Sequence, residues 1–334
     1  MQRIAEEMKQ KALELLKAGK VKAVLGWKKG DLSYDAAPAF FNDPEALEDM
    51  VYNGFCGSNL SKYLMEKSKE AGKTLVFLKP CDTYSLNQLL SEHRADKDKI
   101  HVVGIGCGGM IDVEKLKAKG IKGILAIEEE GEVLKVNTLY GEADSFQRKE
   151  VLLEKCLSCK GKEHKIYDER IGEEQTKENK EADRFAQVAE LEAMTPDKRF
   201  EFWRSWLSMC IRCNACRNTC PSCNCLKCIF DNTQSGVSAK ANSTDFEENM
   251  YHIIRAFHVA GRCSDCGECT RVCPQGIPLQ LLNRKFIKDI NSFYGEFQAG
   301  ASPPNTENAP SSPLVHFDFS DVEPNVITKG GRKK

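Results

Sequence analysis

The sequence predicts an α/β N-terminal domain with a largely parallel sheet, a mainly helical, cysteine-rich domain after it, and an extended C-terminal tail. Three observations predict this. Strand-like stretches alternate with helical ones up to about residue 136, one cysteine pattern occurs twice between Cys210 and Cys273 among helical stretches, and the last stretch has no periodicity.

The 334 residues, 41% of them hydrophobic, suffice for two or three domains with real cores. A formal net charge of -1, from 48 basic and 49 acidic residues, supplies no overall field to recruit nucleic acid or an anionic membrane. No apolar run has the length of a membrane span, and Met1-Gln2-Arg3-Ile4-Ala5-Glu6-Glu7 lacks the apolar core of a signal peptide, so a cytoplasmic protein is expected. In that reducing compartment sixteen cysteines read as metal ligands rather than disulfides, and the chemistry as anaerobic.

In the first domain, Ile4, Met8, Ala12, Leu13, Leu15 and Leu16 predict a helix that Gly19 stops, and Val21 to Trp27 reads as a buried strand. A short apolar piece at Phe40-Phe41 precedes Asn42-Asp43-Pro44, which opens a helix near 44–51. Then come a helix from about Ser58 to Ala71, a strand Thr74 to Lys79, a helix Thr83 to His93, a strand Ile100 to Gly106, a helix Asp112 to Lys119, and strands at Gly123 to Glu128 and Val133 to Val136. In such sheets chemistry collects in the loops beyond the strand ends. Cys81 and Cys107 stand there, and Cys56 opens a helix. Gly104-Ile105-Gly106-Cys107-Gly108-Gly109 follows a strand but lacks G-x-G-x-x-G, which argues against a bound flavin. His93, His101, His164, His252, His258 and His316 are scattered and read as structural or exposed.

Residues 173–194 read as a charged connector after Cys156-x2-Cys159, and residues 195–298 as the helical domain. Pro196 opens a helix whose Phe200, Trp203, Trp206 and Leu207 are expected to pack over whatever the following cysteines hold. Those cysteines are Cys210-x2-Cys213-x2-Cys216-x3-Cys220-Pro221 and Cys263-x2-Cys266-x2-Cys269-x3-Cys273-Pro274. Three thiolates at this spacing wrap a loop around one corner of a cubane, and the fourth, before proline, ligates the other cluster in two-cluster ferredoxins. Cys210, Cys213, Cys216 and Cys273 are thereby assigned to one [4Fe-4S] cluster, and Cys263, Cys266, Cys269 and Cys220 to a second. Zinc, the plainer reading of paired Cys-x2-Cys, needs neither the third close cysteine nor the fourth before proline.

Between the motifs, Phe246, Met250, Ile253, Ile254 and Phe257 predict a helix with Ser243-Thr244 as caps; after them, Leu279, Leu281, Leu282, Phe286 and Ile290 predict another. Arg212 and Arg217 in the first loop, against Asp265 and Glu268 in the second, are expected to make the first cluster the easier to reduce. The tail, 299–334, reads as extended or disordered; its Leu314-Val315-His316-Phe317-Asp318-Phe319 piece would suit an arm lying on a partner subunit.

Lys79-Pro80-Cys81-Asp82, Ile105-Gly106-Cys107 and Cys156-Leu157-Ser158-Cys159 with Tyr167-Asp168 resemble the beta subunits of deazaflavin-reducing hydrogenases and related formate dehydrogenases, over roughly residues 10–172 of a domain drawn as 1–172. The helical domain resembles the two-cluster α-helical ferredoxins of heterodisulfide reductase and succinate dehydrogenase type. Those beta subunits hold a [4Fe-4S] cluster and FAD. By that resemblance Cys81, Cys107, Cys156 and Cys159 are ligands of a third cluster, with Cys56 as an alternative to Cys81 or Cys107. Cys56, Cys223, Cys225 and Cys228 remain, and the count alone suggests a fourth; packed thiols or a zinc site are the plainer alternatives.

The expected function is that of an iron-sulfur electron-transfer subunit of an anaerobic cytoplasmic redox complex. Its partners, by resemblance, are a hydrogenase, a formate dehydrogenase or a heterodisulfide-reductase-like flavoprotein. The alternative is a flavin-containing oxidoreductase subunit that exchanges hydride with a deazaflavin or nicotinamide.

Overall fold

Two units make up the chain in the computed structural model, Met1–Leu86 with Ala95–Ala182, and Asn87–Arg94 with Asp183–Lys334. The described residues are 1–161, 163–172, 183–232 and 245–302. Part of the expected connector (173–182), the Ser243-Thr244 cap and most of the tail, including Leu314 to Phe319, lie outside them.

In the first unit α1 (Gln2–Lys17) buries Met8, Ala12 and Leu15 along one face. Gly19, left-handed at φ 65°, ends it and leads to β1 (Ala23–Lys29). β2 (Ala36–Phe41) and β3 (Met50–Val51) both pair antiparallel with β1. The helix expected near 44–51 is a single 3-10 turn, Glu45–Asp49, cut short because the next two residues join the sheet. The helix expected from Ser58 to Ala71 shrinks to a 3-10 turn at Ser61–Tyr63 and α2 (Leu64–Lys67). Buried polar side chains explain the loss: the Asn59 carboxamide accepts from Ser61 N at 2.9 Å and donates to Ser85 Oγ at 2.8 Å, and Ser61 Oγ donates to Asp82 O at 2.9 Å. Such local bonds compete with a helical backbone.

β4 (Thr74–Leu78), α3 (Pro80–Ser91), β5 (Ile100–Ile105) and α4 (Val113–Ala118) continue the alternation. Asp112 caps α4, its carboxylate accepting from Glu114 N at 3.0 Å. β6 (Ile124–Glu130), β7 (Val133–Thr138), β8 (Gly141–Gln147), α5 (Arg148–Val151), α6 (Glu154–Leu157) and β9 (Glu169–Ile171) complete the unit.

The main sheet runs β2-β1-β4-β5-β9, parallel across its last three pairings and antiparallel where β2 and β3 meet β1, so it is mixed rather than largely parallel. Every residue of β4 is buried, as befits a central strand covered on both faces. β6, β7 and β8 leave this sheet for an antiparallel one with its own core of Ile111, Leu116, Ile121, Ile124, Leu134, Val136 and Val151. The turn around Gly131 between β6 and β7 is too short for a parallel crossover, which needs a dozen or more residues.

The described residues of the second unit form helices joined by loops, with no strand among them: α7 (Ala186–Ala193), α8 (Pro196–Leu207), α9 (Ala215–Asn218), α10 (Asp245–His258), α11 (Glu268–Arg271) and α12 (Leu279–Tyr294). Thr195 caps α8 by accepting from Lys198 N at 3.4 Å, with Pro196 in the first turn. α10 forms where the periodicity predicts it, but its faces are inverted: Met250, Ile253 and Phe257 are exposed, while Tyr251, His252, Arg255 and Ala256 are buried. Among the described residues no helix is long and apolar enough to cross a membrane.

Candidate metal centres

Both cysteine loops of the second unit are built by one set of local rules. The backbone turns left-handed at Arg212 and Asn214 (φ 51° and 61°) and again at Asp265 and Gly267 (53° and 70°). That turn aims an amide back at the first thiol, so Arg212 N donates to Cys210 Sγ and Asp265 N to Cys263 Sγ, both at 3.4 Å. Asn214 and Gly267 are the N-caps of α9 and α11, which carry the third cysteine of each loop. Gly, Asn and Asp tolerate left-handed backbone; Arg212 does so under strain.

Cys210, Cys213, Cys216 and Cys273 line one cavity with about 330 Å³ of empty space, part of it open to solvent. Trp203, Trp206 and Leu207 pack among Cys210, Cys216 and Cys273, whereas Phe200 is exposed. Cys263, Cys266, Cys269 and Cys220 form a second neighbourhood, in which Cys263 is pushed up by burial first and then by Asp265 and the other three thiols. Burial holds Cys216 up at about 11 and Cys269 at about 12. Cys220 is raised first by its hydrogen bond with Cys223 and then by burial. Thiols held neutral so firmly give up their protons on binding a metal, so loading releases protons.

This donor set fits [4Fe-4S] cubanes. One group of four sulfurs lines the cavity and a second gathers around Cys263, and a buried cation, Arg255, faces Cys216, Cys269, Cys223 and Cys220, hydrogen-bonding the Cys269 sulfur and finding no oxygen acceptor among the described residues. Also among the described residues, no three His, Cys, Asp or Glu side chains converge as a single ion would need. A cubane's thiolates each take a different iron and need not converge.

In the first unit, Cys81 begins α3 directly beyond β4, Cys107 follows β5, and Cys156 and Cys159 lie in and after α6. Cys81 and Cys159 share a hydrogen bond that raises the first and lowers the second. Burial pushes Cys107 up to about 11 and Cys156 to about 12, and each also responds to Cys81. Cys156 Sγ accepts from Met110 N at 3.4 Å and Cys159 Sγ from Gly161 N at 3.3 Å. The four thiols thus occupy one neighbourhood.

His164, expected to be structural or exposed, and Arg148 and Lys79, for which the sequence suggested no role here, hold this neighbourhood in place. Arg148 donates to Gly108 O at 2.8 Å and Gly109 O at 3.0 Å, fastening the loop after Cys107. His164 Nε2 stands 3.2 Å from both Leu78 O and Ile105 O, tying the ends of β4 and β5, and a Cβ on Gly104 would reach its ring at 2.7 Å. A Cβ on Gly161 would come within 2.5 Å of Cys81 N, so only glycine fits there. Lys79, 1% exposed, pairs with Asp82 at 2.8 Å and donates to Cys56 O and Ser58 O at 3.1 and 2.8 Å. Burial pulls Lys79 down, but Asp82 and the thiols Cys81 and Cys107 outweigh it and leave it raised. The available signal was a lysine ending a strand of otherwise apolar residues.

The other four cysteines fall in different units. Cys56 lies in the first, wholly buried, its thiol donating to Asn53 Oδ1 at 3.6 Å and pushed up to about 12 by burial. Cys223, Cys225 and Cys228 lie in the second. Arg262 faces Cys223 and Cys225 while Glu92, at 2.7 Å, and Asn224, at 2.8 Å, clamp it; Cys228 faces Arg217, itself paired with Asp231 at 2.8 Å.

Paired cubane-type cysteine loops in a helical unit define the class as iron-sulfur proteins of electron transfer. Residues 206–277 match the family model of the 4Fe-4S dicluster domain. The chain is 24% identical over 337 aligned positions, 82% of its own length and 86% of the relative's, to the F420-dependent formate dehydrogenase subunit beta of Methanocaldococcus jannaschii. It is 30% identical over 97 residues, 29% of this chain and 25% of the relative, to the F420-dependent formate dehydrogenase 1 subunit beta of Methanococcus maripaludis. Among solved structures, a chain of the F420-reducing [NiFe] hydrogenase complex from Methanosarcina barkeri, in a xenon derivative, gives a TM-score of 0.37 at 16% identity, covering 46% of this chain and 62% of that one.

Proposed function

We propose that this chain is the iron-sulfur electron-transfer subunit of a redox complex, taking single electrons from one partner subunit and passing them to another. The observation that carries the reading is the pair of crossed cysteine quartets in the second unit, one around the cavity and one around Cys263. Bound there, [4Fe-4S] clusters supply one-electron exchange with no bond made or broken. The chain holds the sulfurs in fixed loops, directs amide N–H groups at them and keeps Trp203, Trp206 and Leu207 packed against them. In the same reading Cys81, Cys107, Cys156 and Cys159 ligate a third cluster. By similarity to the formate dehydrogenase beta subunits, the partners are a formate dehydrogenase, a hydrogenase or a heterodisulfide-reductase-like flavoprotein.

The F420-dependent activity in the relatives' names also supports a second reading, in which a flavin in the first unit exchanges hydride with a deazaflavin or nicotinamide. Iron and acid-labile sulfide per chain, with an absorption spectrum of anaerobically purified protein, separate the two. About 16 iron atoms without a flavin band favour the pure conduit; about 8 or 12 with one favour the second reading. A colourless, iron-free protein would overturn both.

A further inference from the structure

The helix between the two cysteine motifs buries its polar face. α10 turns Tyr251, His252, Arg255 and Ala256 inward and leaves Met250, Ile253 and Phe257 exposed, the reverse of what solvent alone selects. Arg255 is the extreme case. It is 2% exposed, and among the described residues its guanidinium finds no oxygen acceptor and hydrogen-bonds the Cys269 sulfur instead. Its surroundings hold sulfur from both quartets, Cys216 of the first and Cys269 and Cys220 of the second, together with Cys223. A buried, permanently charged group with no carboxylate opposite it is costly unless another anion compensates. His252 beside it adds no charge, since burial pushes it down to about 3. Other cations among the described residues are Arg212, stacked 3.9 Å over the Tyr251 ring, Arg217, paired with Asp231 at 2.8 Å, and Arg262, which faces Cys223 and is clamped by Glu92 at 2.7 Å.

A thiolate-ligated cubane is such an anion, and it gains one more negative charge on reduction. We propose that Arg255 is the shared countercharge of the two clusters, a positioning residue that favours the reduced form of both and thereby keeps their potentials level. The inference rests on the cluster assignment of the proposed function. One electron leaves one cluster and arrives at the other; no proton moves, because the guanidinium stays protonated throughout. A cation reaching only one cluster would put a step between them. A cation reaching both raises them together and leaves transfer possible in either direction.

The test is a spectroscopic redox titration of the iron-loaded full chain as wild type, Arg255→Gln and Arg255→Lys, with iron and sulfide measured on each sample. The inference expects Arg255→Gln to keep its iron and to make reduction of both clusters about tenfold less favourable, about 59 mV for a one-electron couple, with Arg255→Lys close to wild type. Unchanged potentials in an iron-replete Arg255→Gln protein, or a shift at one cluster only, would overturn it. Should Arg255→Gln lose iron, Arg255→Lys decides: wild-type potentials sustain the shared charge, and lowered ones refute it. Wild-type protein without two clusters would instead refute the cluster assignment, which distinguishes the two failures.

Discussion

At the third place of each cysteine loop stand Arg212 and Asp265, both in left-handed backbone and both sending an amide to the first cysteine sulfur. Their side chains diverge completely. Arg212 lies over the ring of Tyr251, 3.9 Å from its centroid, while Asp265 is held by Arg284 at 3.0 Å, Arg184 at 3.5 Å and the Gln280 amide at 2.6 Å. Glu268 is likewise tied to Arg271 at 2.8 Å. Wrapping a cubane dictates the backbone and leaves the side chains free. The acidic loop is largely neutralised by its own arginines, so the difference in field between the loops is smaller than their residue lists suggest.

The most drastic way to break this comparison is to remove a ligand. If the fourth ligands cross over, Cys273→Ser depletes the same cluster as Cys213→Ser, with a loss of about four iron atoms per chain, and leaves the one that Cys266→Ser removes. Electron paramagnetic resonance of the three variants decides; a Cys273→Ser spectrum matching Cys266→Ser would show that each loop ligates its own cluster.

Next in size is the clamp on Asp265. Arg284 is 6% and Asp265 2% exposed at the side chain, so Arg284→Met strands a buried carboxylate and should cost about 3 kcal/mol in a urea unfolding series, the low end for a broken buried pair because Arg184 remains. Arg271→Met should cost less, since Arg271 is 26% exposed. Equal losses would mean that burial does not distinguish the clamps.

A finer probe is charge alone. Arg212→Gln should lower the potential of the first cluster by about 59 mV, a factor of ten, and so narrow or reverse any gap that the loop charges leave between the two clusters. Potentiometric titration reads it directly, and an unmoved first cluster would assign the gap to another source.

Smallest is the cap position. Gly267→Ala should cost about 1 kcal/mol for left-handed backbone at φ 70°, whereas Asn214→Asp, at 61°, keeps the oxygen that accepts from the Tyr251 hydroxyl at 2.9 Å and should be neutral within a few tenths. Similar thermal midpoints for both variants would show that the loops do not share this strain.

Much of the fold was legible in residues. α1, β1, β4, α3, β5, α4, β6 and β7, the stop at Gly19 and the start of α8 at Pro196 follow from periodicity and caps, which are local, whereas β2 and β3 were not foreseen as strands. The shortening of the helix after Ser58 was not legible, because Asn59 and Ser61 find partners in α3, distant in sequence. The departure of β6–β8 into a second sheet was partly legible in the short turn at Gly131. α10 was legible as a helix but not in its orientation, since Met250, Ile253 and Phe257 of the apolar stripe that revealed it are exposed.

By itself, then, the sequence determined the number and spacing of the sulfur donors, because a cubane loop is a short-range object whose chemistry is written in consecutive residues. Tertiary structure decided what surrounds those donors. Lys79 beneath Cys81 and Cys107, His164 across two strand ends, Arg284 on Asp265 and Arg255 facing both quartets are brought there by packing between elements far apart in the chain. Burial gives each of those charges its force, and burial is a property no single stretch of sequence contains.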